Sequence, residues 1–368
     1  MPTYGNINVD TVTTSTQQGI LGAGNASIMK NRIINGAMVI DQRNAGAQMS
    51  GSIAGSYTLD RWIYDATQNS KVTIQQNAGS VTPPVGFSNY LGVTSVSAYT
   101  VASGDLFNIA QYIEGFNTSD LGWGTANAKT ITLSFQVYSS LTGTFGGALQ
   151  NNARTQSYPF TYTISSANTW TTISVTIAGS TTGTWVGATN GRGLSLFLGL
   201  GVGSTYSATA GSWQSGDYRG ATGATNVVST NGATFYITGV QLEVGSSATG
   251  FEYVNYQTSL ANCQRYYWQA TYQSANTRFG TGTAAGSIVD GFQTPVPVSL
   301  RTQPTIALSN IGLYDGTTTY TISSVGTNYS NGSLVSAQLT PSASITAGKA
   351  VQLYAINSSA VISASAEL

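Results

Sequence analysis

The chain has 368 residues, no histidine, one cysteine, 7% charged residues and a formal net charge of zero. Histidine is the usual general base near neutral pH and the commonest metal ligand, so its absence excludes Ser–His–Asp and Cys–His nucleophile systems and most zinc sites. A neutral chain has no basic field to draw in phosphates, so nucleic acid is excluded as a partner.

What remains is 41% hydrophobic residues, 43 glycines, 21 tyrosines and a surplus of Ser, Thr and Asn. That composition reads as a β-rich structural or binding protein with enough apolar side chain to bury a core. The length predicts two domains and a terminal extension. Met1-Pro2-Thr3-Tyr4-Gly5 lacks the basic start and apolar run of a signal peptide, and no stretch approaches the length of a membrane helix. The expectation is a soluble chain made in a cytoplasm, with no membrane insertion.

Residues 1–57 hold only brief apolar runs, at 32–38 and 38–40, among Gly, Asn, Thr and Gln. Such a stretch cannot bury a core alone and reads as an arm that orders by packing on something else. Residues 58–256 form a first β domain. In 129–140, Ile131, Leu133, Phe135 and Val137 share one face, and Thr130, Thr132, Ser134 and Gln136 share the other. This is the alternation of a half-buried strand. Segments 170–179 and 193–203 repeat it. In 233–245 the apolar phase flips between Ile237 and Val240, which predicts a β-bulge at Gly239. Two short helices are expected at most: one in 104–114, and one in 259–267 capped by Ser259, with strands as the alternative for each.

Residues 257–368 form a second, smaller β domain with strands at 296–300, 305–308, 334–339 and 350–356. Pro295, Pro297 and Pro304 confine parts of it to edges and turns. The fold class is therefore all-β: two β-sandwich, jelly-roll-like domains preceded by an extended N-terminal arm.

Chemistry is sparse. Cys263 can form no disulfide within the chain and reads as a small buried apolar side chain. Asp60, Asp65, Asp105, Glu114, Asp120, Asp217, Glu243 and Glu252 form no recognisable carboxylate pair for glycoside hydrolysis. No phosphate loop or EF-hand calcium loop is present, so no cofactor and no metal is expected. Trp123, Trp185 and Trp213 lie in or beside Gly-rich segments and are the candidate ligand-binding residues, because an indole can stack on the apolar face of a sugar ring. The competing reading is that these rings plug the core or seal contacts between subunits.

Several motifs go beyond composition. Met29-Lys30-Asn31-Arg32-Ile33-Ile34-Asn35-Gly36-Ala37-Met38, then Ile40-Asp41-Gln42-Arg43-Asn44, Tyr57-Thr58-Leu59-Asp60-Arg61-Trp62, Thr238-Gly239-Val240-Gln241-Leu242-Glu243-Val244-Gly245 with Ala248-Thr249-Gly250-Phe251-Glu252, Cys263-Gln264-Arg265-Tyr266-Tyr267, Pro297-Val298-Ser299-Leu300-Arg301-Thr302-Gln303-Pro304 and Ala364-Ser365-Ala366-Glu367-Leu368 follow one another from residue 29 to the end. In this order they resemble tailed-bacteriophage tail-fibre and related virion fibre proteins, which carry a jelly roll like a carbohydrate-binding module and a C-terminal β-sandwich. Gly250 departs from the family's usual proline before Phe-Glu.

The resemblance implies a virion structural protein, located in the virion after synthesis in a bacterial host cytoplasm. It implies a homotrimer joined to other virion proteins through the arm, and attachment to host surface polysaccharide by summed weak contacts. No enzymatic activity is expected. The first alternative is a purely architectural head-decoration, neck or baseplate-associated fibre that binds no sugar. A polysaccharide depolymerase ranks last, since no long β-helix repeat is present to carry a catalytic groove. Arg61 beside Trp62 is expected to form a fold-defining ion pair, with Glu243 or Glu252 as partner.

Overall fold

The computed structural model describes residues 29–274 and 277–368, and over them the chain is all-β. The first domain begins with β1 (Tyr57–Leu59), β2 (Trp62–Ala66), β3 (Val72–Gln76), β4 (Leu91–Ser95), β5 (Leu106–Glu114), β6 (Ile131–Ser139) and β7 (Gly143–Gln150). It continues with β8 (Ser157–Ile164), β9 (Thr171–Ile177), β10 (Arg192–Val202), the short β11 (Ser207–Ala208) and β12 (Gly220–Ala221), and β13 (Thr234–Val244). A six-stranded sheet, β1-β2-β5-β10-β7-β8, faces a five-stranded sheet, β3-β4-β13-β6-β9. Trp62, Phe107, Phe135, Phe145, Phe160 and Phe235 fill the space between them and are almost wholly buried. Burial of each such side chain contributes roughly 1.5–3 kcal/mol.

The predicted bulge is present. Thr238 pairs with Gln136 but Gln241 pairs with Ser134, so β13 carries one extra residue there. Gly239 has φ +62, and a Cβ on it would meet the Phe87 ring at 2.6 Å. The bulge is what lets Phe235 and Ile237 on one side of it, and Val240 and Leu242 on the other, all point into the core.

Residues 1–28 of the expected arm lie outside the described residues. The described part, 29–56, is not an independent arm: it packs into the first domain. Ile33, Met38 and Ile53 belong to the sandwich core. Arg32 N donates to Leu242 O at 2.9 Å, and Val240 N donates to Gly36 O at 3.0 Å. Side chains do the rest, as Gln111 brackets Ile34 with two 2.9 Å bonds and Arg32 forks Asp120 at 2.7 and 2.8 Å. The segment's few apolar residues suffice because they complete a core that the sheets supply.

Of the two readings open for 104–114, the strand holds: it contains β5, central in its sheet and buried on both faces. The second helix, α1 (Tyr256–Gln264), starts four residues earlier than expected; Asn255, not Ser259, caps it by accepting from Thr258 N at 2.9 Å.

The second domain follows α1 with β14 (Tyr267–Thr271), β15 (Arg278–Ala284), β16 (Val289–Pro295), β17 (Thr305–Ser309), β18 (Ile311–Tyr314), β19 (Thr319–Asn328), β20 (Leu334–Pro341), β21 (Ala350–Ala355) and β22 (Val361–Ser365). Six of these close into a barrel, β15-β16-β20-β19-β18-β21, and β14-β22-β17 form a three-stranded sheet over the same core. Segment 296–300 is not a strand: it makes only two separate backbone bonds, Val296 N to Ser333 O and Leu300 N to Gly332 O. Pro297 removes a donor that a ladder would need.

The motifs singled out in the sequence converge where the two domains meet. Arg61, 1% exposed, pairs with Glu367, donates to the Tyr112 carbonyl and lies 3.6 Å from the Tyr266 ring centroid. Arg43 joins Glu367 at 3.1 Å and lies 3.6 Å from the Tyr267 ring centroid. Arg265 clasps Glu114 at 2.6 and 2.9 Å, and the Tyr266 hydroxyl donates to the same carboxylate at 2.6 Å. Arg301 donates to the carbonyls of Ala366 and Glu367 at 2.7 and 2.6 Å. The expected partners of Arg61 are thus corrected. Glu243 instead accepts from Gln241 and Thr249, and Glu252 accepts from Asn31 N at 2.6 Å.

Removing one partner of a buried ion pair strands the other charge. Glu367→Ala is therefore expected to cost roughly 3–5 kcal/mol in chemical denaturation, against less than about 1 kcal/mol for removal of an exposed acid. Asp60 carries the pH signature of the same joint. Burial pushes its carboxyl up to about 6, and Arg43 and the Gln42 hydrogen bonds only partly offset this. A folded-state value above the unfolded one gives stability that is complete below the ordinary carboxylate range and lost as pH rises through about 6. The melting temperature of the wild type relative to Asp60→Asn is expected to fall between pH 4 and pH 6.5.

Candidate functional site

The three candidate tryptophans come from three loops and meet at one end of the sandwich. Trp123 precedes β6, Trp185 lies between β9 and β10, and Trp213 lies between β11 and β12. Their ring centroids are 4.8, 5.2 and 5.4 Å apart, with interplanar angles of 74–85°. Tyr158 adds a fourth ring 5.4 Å from Trp213. In this edge-to-face packing the positive edge of each indole meets the negative face of its neighbour.

Every indole N–H is spent inside the chain: Trp123 on Lys129 O at 2.8 Å, Trp185 on Thr182 O at 3.0 Å and Trp213 on Ala178 O at 2.7 Å. The cleft beside Trp123 and Trp185 measures about 80 Å³, far below the roughly 300–1,000 Å³ of ordinary ligand pockets. Trp123 is buried in the core, and Trp185 and Trp213 pack half-exposed against it, so the cluster ties three loops to the end of the core.

A second aromatic group, which the sequence reading missed, lies on the outer face of the five-stranded sheet. Tyr236 of β13 sits directly opposite Tyr138 of β6, and the two rings stack at 5.4 Å with an interplanar angle of 6°. Tyr90 stacks on Tyr236 from the other side at 5.1 Å. Trp170, just before β9, closes the group at 5.5 Å from both Tyr138 and Tyr90. Tyr90 and Tyr236 are buried, whereas Tyr138 and Trp170 are half-exposed.

Hydroxyls and amides surround these rings. Gln136 faces Thr172 and Thr238, Ser134 faces Ser174 and Gln241, and Thr94 faces Thr73 and Thr234. Thr172 donates to Gln136 Oε1 at 3.0 Å. The nearest acid on this face of β13, Glu243, is buried and saturated by Gln241 and Thr249. The face therefore presents neutral donors and acceptors beside aromatic surface. It has the makings of a sugar-contacting surface and lacks the charge that would select an ion.

A signal for this surface existed in the sequence. Tyr138 falls in the polar phase of its strand, with Thr132, Ser134 and Gln136. Trp170 falls in the polar phase with Thr172, Ser174 and Thr176. A large aromatic in a solvent-facing phase is the pattern to look for.

The acids weighed for carboxylate chemistry are engaged by their own chain. Asp65 and Asp217 hold Arg219 at 2.8 and 2.9 Å. Hydrogen bonds from Ala102, Tyr99, Gln68 and Thr67 outweigh burial at Asp105 and hold its carboxyl low. At Glu114, Arg265 and Tyr266 likewise outweigh burial. Among the described residues no cluster of three or more acids and Cys could hold a metal ion, and no helix is long and apolar enough to cross a membrane. Cys263 is fully buried, and that burial raises its thiol well above the ordinary value.

No family model matches the chain, and no curated protein matches it. Among solved structures it is similar to the enzymatically active domain of bacteriophage CBA120 tailspike protein 4, at 12% identity over 59% of this chain and 22% of that one, with a TM-score of 0.32. It is similar to a putative sugar binding protein from Bacteroides thetaiotaomicron, at 12% identity over 58% of this chain and 100% of that one, with a TM-score of 0.32. A family 11 carbohydrate-binding module of a Clostridium thermocellum cellulase matches at 11% identity, over 56% of this chain and 100% of that one, with a TM-score of 0.27. At these TM-scores the function rests on the geometry of the chain itself.

If the tryptophan cluster is a plug, Trp123→Ala should destabilise the first domain by roughly 3–5 kcal/mol, the usual cost of a large aromatic deletion in a core. Thermal or denaturant unfolding measures this directly.

Proposed function

We propose that this protein is a non-enzymatic virion fibre component that attaches the particle to neutral glycans on the host surface. One observation carries the glycan reading: half-exposed Tyr138 and Trp170 stand among Gln136, Ser134, Thr172 and Ser174 on an uncharged sheet face. Aromatic rings take the C–H faces of pyranoses, and neutral hydroxyls and amides match sugar hydroxyls without selecting charge. The virion setting is supported by the ordered motifs from residue 29 onward and by a surface built from hydroxyls and amides. Each contact of this kind is weak, and several copies on one particle would sum them. The absence of catalysis is supported by carboxylates committed to arginines and backbone amides rather than poised across a groove.

A second reading, a purely architectural fibre, is favoured by a different feature. A cleft of about 1190 Å³ lies between the 29–39 segment, the Phe87 and Phe251 loops and α1. Phe116, Tyr253, Val254 and Tyr256 stand 50–61% exposed in or beside it. Apolar side chains grouped in this way mark protein–protein contact. The two readings are compatible if the cleft serves assembly and the sheet face serves attachment.

Trp170→Ala and Tyr138→Ala are expected to weaken retention on neutral host polysaccharide by about tenfold each, or ~1.4 kcal/mol, with melting temperatures within a few degrees of wild type. Retention unchanged in both variants would leave the architectural reading.

A further inference from the structure

The outer wall of the C-terminal barrel carries an aromatic ring that reaches across a strand, with a cation beside it that pairs with no carboxylate among the described residues. Tyr354 of β21 lies opposite Arg278 of β15 on one side and Gly312 of β18 on the other. Its hydroxyl reaches over β18 and donates to Thr319 Oγ1 on β19 at 2.8 Å. The ring can span that gap because position 312 has no side chain: a Cβ there would sit 2.8 Å from the ring's Cε1. Tyr354 thus lies half-exposed across the strand. Tyr314 meets the same ring at 6.1 Å and 62° and forms a low wall along it.

Arg278 is exposed, and its guanidinium carbon lies 5.2 Å from the Tyr354 ring centroid and 5.9 Å from that of Tyr314. Nε donates to Gln352 Oε1 at 2.8 Å, which leaves the terminal nitrogens without a hydrogen bond among the described residues. Most arginines of this protein are already paired: Arg32, Arg43, Arg61, Arg154, Arg219 and Arg265 all sit on carboxylates. Arg278 has no such partner among the described residues. The carboxylate next in sequence to Tyr314, Asp315, is occupied by Lys349 at 2.8 Å. An arginine steadied by a neutral amide and two rings is ready to take a carboxylate in a two-pronged grip.

We propose that this wall is a second ligand site, specific for a carboxylate-bearing pyranoside, a uronic or sialic acid residue of a surface glycan. Tyr354 takes the apolar face of the sugar ring, Arg278 takes the carboxylate, and Gln352 and Thr319 lie within the same patch to meet hydroxyls. The site is separate from the uncharged sheet face of the first domain and does not rest on it.

The test is calorimetric titration of the full chain with tetragalacturonate and with 3′-sialyllactose, using the methyl ester of each as its uncharged counterpart. At least one acid is expected to bind, at least about tenfold more tightly than its counterpart. Arg278→Gln should abolish that difference, and Tyr354→Ala should weaken the acid and its counterpart alike. Trp170→Ala should leave the acid's binding unchanged, which separates the two sites. Whichever acid binds distinguishes a uronate from a sialate source. Failure of both acids to bind, equal binding of acid and counterpart, or undiminished binding to Arg278→Gln would each overturn the proposal.

Discussion

A guanidinium sealed from water ties the two domains together. Arg61 has almost no solvent contact, so its charge is tolerable only while Glu367, the Tyr112 carbonyl and the Tyr266 ring surround it. Arg61 sits in the β1–β2 turn, and its three partners come from the central strand of the six-stranded sheet, the link after α1 and the tail that follows β22. None of those elements can shift without exposing or stranding the charge. Arg43, Arg265 and Arg301 extend the same arrangement across the joint by binding the carboxylates of Glu367 and Glu114 and the Asn190 carbonyl. In a chain so poor in charge, this concentration at one joint makes its ion pairs part of the architecture.

The aromatic residues divide by their settings. In the Trp123–Trp185–Trp213 cluster, each N–H donates to a backbone carbonyl and each ring meets the edge of another; Trp123 is buried, and Trp185 and Trp213 are half-exposed. On the five-stranded sheet, Tyr90 and Tyr236 are buried and brace Tyr138 and Trp170, which stay half-exposed among hydroxyls. Trp170 likewise donates its N–H to a carbonyl, that of Thr82 at 2.8 Å, so what sets this face apart is the row of Gln136, Ser134, Thr172 and Ser174 beside its rings. On the barrel wall, half-exposed Tyr354 is fixed by its hydroxyl. A glycan needs a rigid ring face with polar groups near its rim.

Much of the fold was readable where alternation is clean. Strands β6, β9, β10 and β13 follow their period-two patterns, and the phase flip at Gly239 located the bulge. At β5 helix and strand stayed open because both its faces are buried: Phe107 and Ile109 point into the core while Ala110 and Tyr112 lie under other residues. Leu106–Glu114 mixes apolar and polar residues on both faces, so it carries no clean period to separate strand from helix. The 29–56 segment read as an arm because its core contacts, Ile33, Met38 and Ile53, are few and far apart in sequence. The joint was visible as motifs but not as pairs. Glu367 lies 306 positions from Arg61, and no local pattern links them. Tyr138 and Trp170 were legible in principle, since each occupies a polar phase, but Gly-rich context drew attention to other rings.

The central claim is that this β protein holds a sugar without transforming it, on the Tyr138–Trp170 face of its first domain. Crystals soaked with a panel of neutral oligosaccharides test it most directly. The account predicts density for an intact sugar chain against Tyr138 and Trp170, with Gln136 and Thr172 in hydrogen-bond reach. A sugar seated elsewhere on the first domain, a cleaved product, or no bound sugar from any of the panel would contradict it.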